Sequence, residues 1–231
     1  MALPLSFKIE VDDLDKRLGG GIPKGSLVLI DGEHGTGKSV LVQRLAYGFL
    51  QNGYSVTFIS TQLTTKDFIS QMYSLGYDIL KYLSKNKLLF ISVFPLLGEH
   101  KKEDVFFKKL VETQELYKND IIFIDTLSSI IRYSLDLGKI DDLIGFFKRL
   151  TGIGKTIFVT LGEGDLDSMI VGELVSSADI HITMKAKTFG EDIKHMLVIN
   201  KYAGALQPYS TMTGFRIVPK IGFVIEIATV A

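Results

Sequence analysis

The chain has 231 residues, 46% of them apolar, and its 26 Lys+Arg balance its 26 Asp+Glu for a formal net charge of zero. That size suits one α/β domain with a sizeable core, and the missing positive field argues against a dedicated DNA binder. There is no cysteine, which excludes a disulfide framework and cysteine-ligated metal and fits a reducing compartment.

Residues 1–9 lack the charged-then-apolar layout of a signal peptide. The longest apolar stretch, Leu88 to Leu97, contains Ser92 and Pro95 and is too short to span a bilayer. A cytoplasmic location is expected, with membrane contact only through partners or the surface.

Residues 1–25 read as a lead-in that ends in a turn cluster, Leu18-Gly19-Gly20-Gly21-Ile22-Pro23-Lys24-Gly25. Leu27 to Asp31 reads as a buried strand. Ser39 to Gln51 reads as a helix with Leu41, Leu45 and Phe49 on one face, stopped by Asn52-Gly53. Tyr54 to Ser60 is the next strand. Thr64 and Thr65 are set to cap a helix striped by Phe68, Met72 and Leu75, and Gly76 ends it. A short helix over 78–84, a strand from Leu88 to Phe94 and a loop over 95–104 follow.

Glu103 to Lys118 carries one apolar helical face through Phe106, Leu110, Thr113 and Tyr117. Ile121 to Asp125 is an apolar run closed by a carboxylate, and a loop over 128–142 is expected after it. Lys139 to Leu150 is again helical, and Thr156 to Leu161 is a further strand. This alternation predicts a mostly parallel central sheet flanked by helices on both faces. After Asp179 four strand-like runs with short turns (180–187, 195–201, 214–218 and 222–227) predict C-terminal antiparallel strands on the same sheet. No linker or repeat divides residues 1–231, so one domain is expected.

Between the first strand and its helix lies Gly32-Glu33-His34-Gly35-Thr36-Gly37-Lys38-Ser39, a full match to G-x-x-x-x-G-K-[ST] in the strand–turn–helix setting that motif requires. Its glycines let backbone N–H groups close around phosphate oxygens, and the helix opening at Lys38, Ser39 and Val40 adds its positive end. Lys38 is placed to reach the β- and γ-phosphates and Ser39 to hold Mg²⁺. The sequence therefore predicts nucleoside triphosphate binding. Asp125, at the C-terminal end of a strand buried on both faces, is the expected second Mg²⁺ group.

The remaining candidates are weaker. His34, His100, His181 and His195 have no metal-ligand spacing. His34, inside the phosphate loop, either contacts a phosphate or neighbouring subunit or is a plain exposed residue. Lys101-Lys102 and Lys108-Lys109 read as solvated faces, with an acidic partner as the functional alternative. Glu163 and Asp165 read as turn residues near the site rather than as catalytic ones.

The glycine cluster at 18–25, the phosphate loop, the strand at 54–60 and Ser74-Leu75-Gly76-Tyr77-Asp78 resemble the KaiC branch of the RecA superfamily. The resemblance covers nearly the whole chain. It implies an ATP-binding RecA-like core and a homo-oligomer, a hexameric ring with ATP between neighbouring subunits. Hydrolysing members carry a Glu-Glu pair after the second strand; the matching positions here are Gln62 and Leu63, which accept no proton from water. Such members also end a late strand in Lys-x-Arg-Gly, whose basic residues reach the neighbour's γ-phosphate; here the match is Lys201-Tyr202-Ala203-Gly204, which keeps only the lysine.

A general base contributes roughly 10²–10⁴ in rate and a trans-acting arginine roughly 10³–10⁵. Losing both implies slow or absent turnover, unless Glu33 or Glu163 replaces the base. Within the branch, the intact phosphate loop, the missing glutamate pair and Ile124-Asp125-Thr126-Leu127-Ser128-Ser129 most resemble the nucleotide-binding family of the archaellum motor. That resemblance implies an assembly or regulatory role peripheral to the membrane, docked to the motor ATPase FlaI and the platform protein FlaJ. An active ATPase or autokinase is the alternative. A RecA-type recombinase is disfavoured because residues 128–142 offer only Arg132 and Lys139 as cations.

Overall fold

The computed structural model describes residues 4–93, 103–132, 137–189 and 192–226. In chain order they form α1 (Leu14–Arg17), β1 (Leu27–Gly32), α2 (Lys38–Gln51), β2 (Val56–Ser60), α3 (Thr65–Ser74), α4 (Leu80–Ser84), β3 (Leu88–Ser92) and α5 (Glu103–Glu112). There follow β4 (Ile121–Asp125), α6 (Leu127–Ile131), α7 (Leu137–Gly152), β5 (Thr156–Thr160), α8 (Ser168–Ser177), β6 (Ile180–Phe189), β7 (Asp192–Tyr202), β8 (Met212–Val218) and β9 (Gly222–Glu226). No helix among the described residues is long and apolar enough to cross a membrane.

The strands form a nine-stranded sheet in the order β3-β2-β4-β5-β1-β6-β7-β8-β9. β1 to β6 run parallel, and β7, β8 and β9 add on antiparallel. Val28 and Ile30 of β1 pack with Leu41, Leu45 and Phe49 of α2 on one face, in a core that also holds Phe58, Phe123 and Phe158. Leu27 and Leu29 face the other way, toward Leu143 and Phe147 of α7 and Leu174 of α8. Strands covered on both faces must be apolar at consecutive positions, which is why they read so plainly as buried runs.

The lead-in is held by tertiary contacts. Leu5 bridges Ile22, and a Cβ on Gly21 would lie 2.8 Å from the Leu5 carbonyl oxygen. Arg44 of α2 is fully buried against it: Nε and Nη2 donate to the two oxygens of Asp12, each at 2.6 Å, and Nη1 donates to the Phe7 carbonyl at 2.9 Å.

Several expectations change at their ends. The helix expected over 103–118 breaks after Glu112, and a 3₁₀ turn over Gln114–Tyr117 seats the Tyr117 ring while its hydroxyl donates to the Leu110 carbonyl at 2.6 Å. The loop expected over 128–142 contains α6 and the first turn of α7; the run Leu127-Ser128-Ser129-Ile130-Ile131 is too short for its periodicity to declare a helix. α8 was not expected either, although Ile170, Val171, Leu174 and Val175 lie on one helical face; its start is set by Asp167, whose carboxylate accepts from the Met169 N–H. Of the Thr64 and Thr65 pair, Thr64 caps α3 by accepting from the Asp67 N–H. Lys108 pairs with Glu112 on an exposed face at 3.9 Å. His100, Lys101, Lys102 and the strand extension to Phe94 lie outside the described residues.

Candidate nucleotide-binding site

β1 delivers the loop at the C-terminal edge of the parallel strands, beside the ends of β4 and β5, where open α/β sheets bind ligands. Two of its positions admit only glycine. Gly32 has φ +140°, and a Cβ there would sit 2.2 Å from the Met184 carbonyl oxygen of β6. Gly37 has φ +92°, and its Cβ would press the Phe215 ring of β8 at 3.2 Å. Thr36 is buried, and its hydroxyl donates to the Glu33 carbonyl at 2.8 Å, pinning the turn. Lys38 opens the 14-residue helix α2, and its ammonium donates to the carbonyls of Gly32 at 2.6 Å and Glu33 at 2.7 Å. Its pKa is lowered by burial, against the pull of Asp125, Asp165, Asp31 and Glu163.

Asp125 ends β4 almost sealed from solvent, and the Thr160 hydroxyl of β5 donates to it at 2.7 Å. Burial pushes its carboxyl pKa up, while hydrogen bonds from Thr160 and Ser39 and the Lys38 charge oppose that rise. The peptide bond to Thr126 is cis. Ser39 and Asp125 thus present hard oxygen donors on one wall. Among the described residues no trio of acidic or histidine side chains is assembled to hold a metal alone. This is the donor set that suits Mg²⁺, which binds through one or two carboxylates and completes its shell with phosphate and water.

These residues line a cleft of about 300 Å³ together with His34, Gly35, Val40, Gln62, Thr126 and Arg132. His34 and Glu33 are exposed at the loop. Gln62 reaches the wall and donates from Nε2 to the Thr126 hydroxyl at 3.0 Å, whereas Leu63 turns into the core. Neither position supplies a carboxylate.

Asp165 is more than a turn residue. It lines the cleft, accepts from the Ser128 hydroxyl at 2.7 Å and pairs with the Arg132 guanidinium. Ser128 in turn receives the Gly162 N–H at 3.1 Å. The sequence signal for this group was Ser128 and Arg132 four apart after Asp125, one helical face once α6 is seen. Phe215 and Ile217, which roof the loop from β8, carried no such signal.

Lys201 lies elsewhere. It pairs with His181, which pairs with Leu29, about 10 Å along β1 from the phosphate loop at ~3.3 Å per residue. It is exposed, and Nζ donates to the Ser176 carbonyl at 3.0 Å. Of the other described histidines, His181 bonds Asp31 at 2.8 Å and His195 stacks on Phe215, and neither lines the cleft.

Comparison with known proteins agrees with this geometry. The family model for the KaiC ATPases matches residues 7–226. The archaeal flagellar ATP-binding protein FlaH of Methanocaldococcus jannaschii is 50% identical over 220 residues, covering 95% of this chain and 94% of that protein. Its namesake in Methanococcus voltae is 41% identical, covering 97% and 98%. The crystal structure of the flagellar accessory protein FlaH from Methanocaldococcus jannaschii aligns with TM-score 0.93 at 47% identity, covering 98% of this chain and all of that one. A KaiC-like protein from Pyrococcus horikoshii, 20% identical with TM-score 0.73 over 94% of this chain and 96% of its own, shares the fold. With a RecA-type sheet, a complete phosphate loop and relatives matched along almost their full length, the chain belongs to the FlaH family of KaiC-like ATPases.

Proposed function

We propose that this single domain binds ATP with Mg²⁺ and turns it over very slowly or not at all, acting as a nucleotide-dependent ring subunit in the archaellum motor. One observation carries the reading: the binding residues Lys38, Ser39 and Asp125 converge on one cleft, while neither Gln62 nor Leu63 supplies a carboxylate to act as base. Gly35, Thr36, Gly37 and Lys38 take the phosphates, and Ser39 and Asp125 hold Mg²⁺, which when bound neutralises phosphate charge. Relatives described as archaeal flagellar ATP-binding proteins support the archaellum role. On that role rest a cytoplasmic location, peripheral to the membrane, and docking to FlaI and FlaJ.

The ring, hexameric by family resemblance, uses Lys201. Because Lys201 sits away from its own phosphate loop, its family role is met only across a subunit boundary, toward the neighbour's terminal phosphate. ATP then favours the ring more than ADP does, with no hydrolysis needed. A second reading, an active ATPase, is favoured by Glu163, whose charge is felt at Lys38. A steady-state turnover assay of wild type, Gln62→Glu and Glu163→Gln separates them. The proposal expects little turnover in all three. Robust hydrolysis by wild type that Glu163→Gln abolishes would replace it with the second reading.

A further inference from the structure

Arg132 caps the C-terminal end of α6, seven residues beyond Asp125, and among the described residues it is the one guanidinium on the cleft wall. Its Nη2 donates to Oδ1 of Asp165, while Oδ2 of the same carboxylate accepts from Ser128. The arginine side chain is 38% exposed and the aspartate 11%, so the aspartate is fixed and the arginine is at the surface of the cleft. Across from the pair stands Lys38, whose ammonium feels the Asp165 charge. Lys38 belongs to the end of the cleft that takes the β- and γ-phosphates.

The charges around Lys38 raise a problem for an anionic ligand. Asp125 and Asp165 both line the cleft, so the terminal phosphate meets two carboxylates on its wall. Arg132 is the cation that offsets that wall, and Asp165 holds it at the rim. A partly exposed ion pair is weak. A guanidinium with five donors in a planar fork is also well matched to phosphate oxygens, and such charge-assisted contacts are stronger. The guanidinium therefore stands where the Asp165 carboxylate and a phosphate brought by the ligand compete for it.

We propose that Arg132 is a terminal-phosphate sensor acting within its own subunit, with Asp165 as the rest that holds it when the terminal phosphate is absent. The inference rests on the nucleotide reading above and adds to it a residue that distinguishes ATP from ADP. It also gives the distinction a route out of the cleft. Ser128 lies in α6 and Arg132 caps it, and Ser128 Oγ accepts the Gly162 N–H just after β5, so transfer of Arg132 from carboxylate to phosphate loads α6 and the segment after β5 together.

Calorimetric titration with Mg·ATP and with Mg·ADP tests this on wild type, Arg132→Ala, Arg132→Lys, Asp165→Asn and Lys38→Ala. The expected result for Arg132→Ala is a loss of about ten- to a hundredfold in ATP affinity, the range for one charge-assisted contact, with ADP affinity changed less than about threefold. Arg132→Lys should recover part of the ATP preference. Asp165→Asn, which removes the carboxylate that competes with phosphate for the guanidinium, should raise the ATP-to-ADP ratio above wild type. Equal losses for ATP and ADP in Arg132→Ala, or an unchanged ratio in Asp165→Asn, would overturn the sensor. ATP binding that survives Lys38→Ala intact would overturn the nucleotide reading beneath it.

Discussion

Two arginine–aspartate pairs flank the phosphate loop, and they differ in nearly everything but chemistry. Behind the loop, Arg44 of α2 and Asp12 of the lead-in are both at 0% side-chain exposure, and the guanidinium is further bonded to the Phe7 carbonyl and lies over the Phe7 ring at 5.8 Å. In front of it, Arg132 and Asp165 stand at 38% and 11% exposure on the cleft wall. A sealed pair is out of reach of solvent and ligand, so it fixes one arrangement of the chain. A pair at the edge of solvent is cheap to open and lies where a ligand competes for it. Burial, rather than the residue types, separates the pair that serves the fold from the pair that serves the site.

The largest expected effect breaks the rear pair. Asp12→Ala leaves Arg44 buried and unpaired and should cost about 3–5 kcal/mol, read as a shift in the denaturant midpoint at constant slope. Arg44→Met in the same chain should return much of that loss, because the buried charge is then gone. A loss under about 1 kcal/mol for Asp12→Ala would mean that the two pairs do not differ as argued.

At the cleft, saturating ligand supplies the next effect. With ATP about a thousandfold above its dissociation constant, binding adds roughly 4 kcal/mol to stability. Lys38→Ala should lose most of it. Equal melting shifts with ATP in wild type and variant would remove the cleft from the account.

Smaller again is the effect between subunits. Lys201→Ala should weaken ATP-dependent association by about 1.5–3 kcal/mol per contact. Sedimentation with ATP, with ADP and without nucleotide reads this directly, and identical distributions for both proteins in all three conditions would end the inter-subunit role.

The smallest effect sharpens the comparison at its other end. Without nucleotide, Arg132→Ala should change stability by no more than about 1 kcal/mol, set against the several lost at Asp12. A loss comparable to that of Asp12→Ala would make the front pair structural as well.

The sequence by itself determined the parts of this protein whose constraints are local. Gly32 to Ser39 needs its glycines and its lysine wherever it occurs, because phosphate must approach the backbone closely. Strands buried on both faces announced themselves as apolar runs, and α2, α3 and α7 by their stripes. Gln62 and Leu63 were matched to the glutamate pair of the KaiC branch through the resemblance of the residues flanking them. Only the tertiary structure decided what depends on elements far apart meeting. α6 was too short to show a period. Asp165 becomes a cleft residue because β5 ends beside β4 and α6 turns Arg132 toward it. Phe215 reaches Gly37 across more than 170 positions of sequence, and Asp12 finds Arg44 beneath α2. No local pattern encodes those meetings, since each is fixed by the strand order β4-β5-β1-β6 and by which face each segment must hide from water.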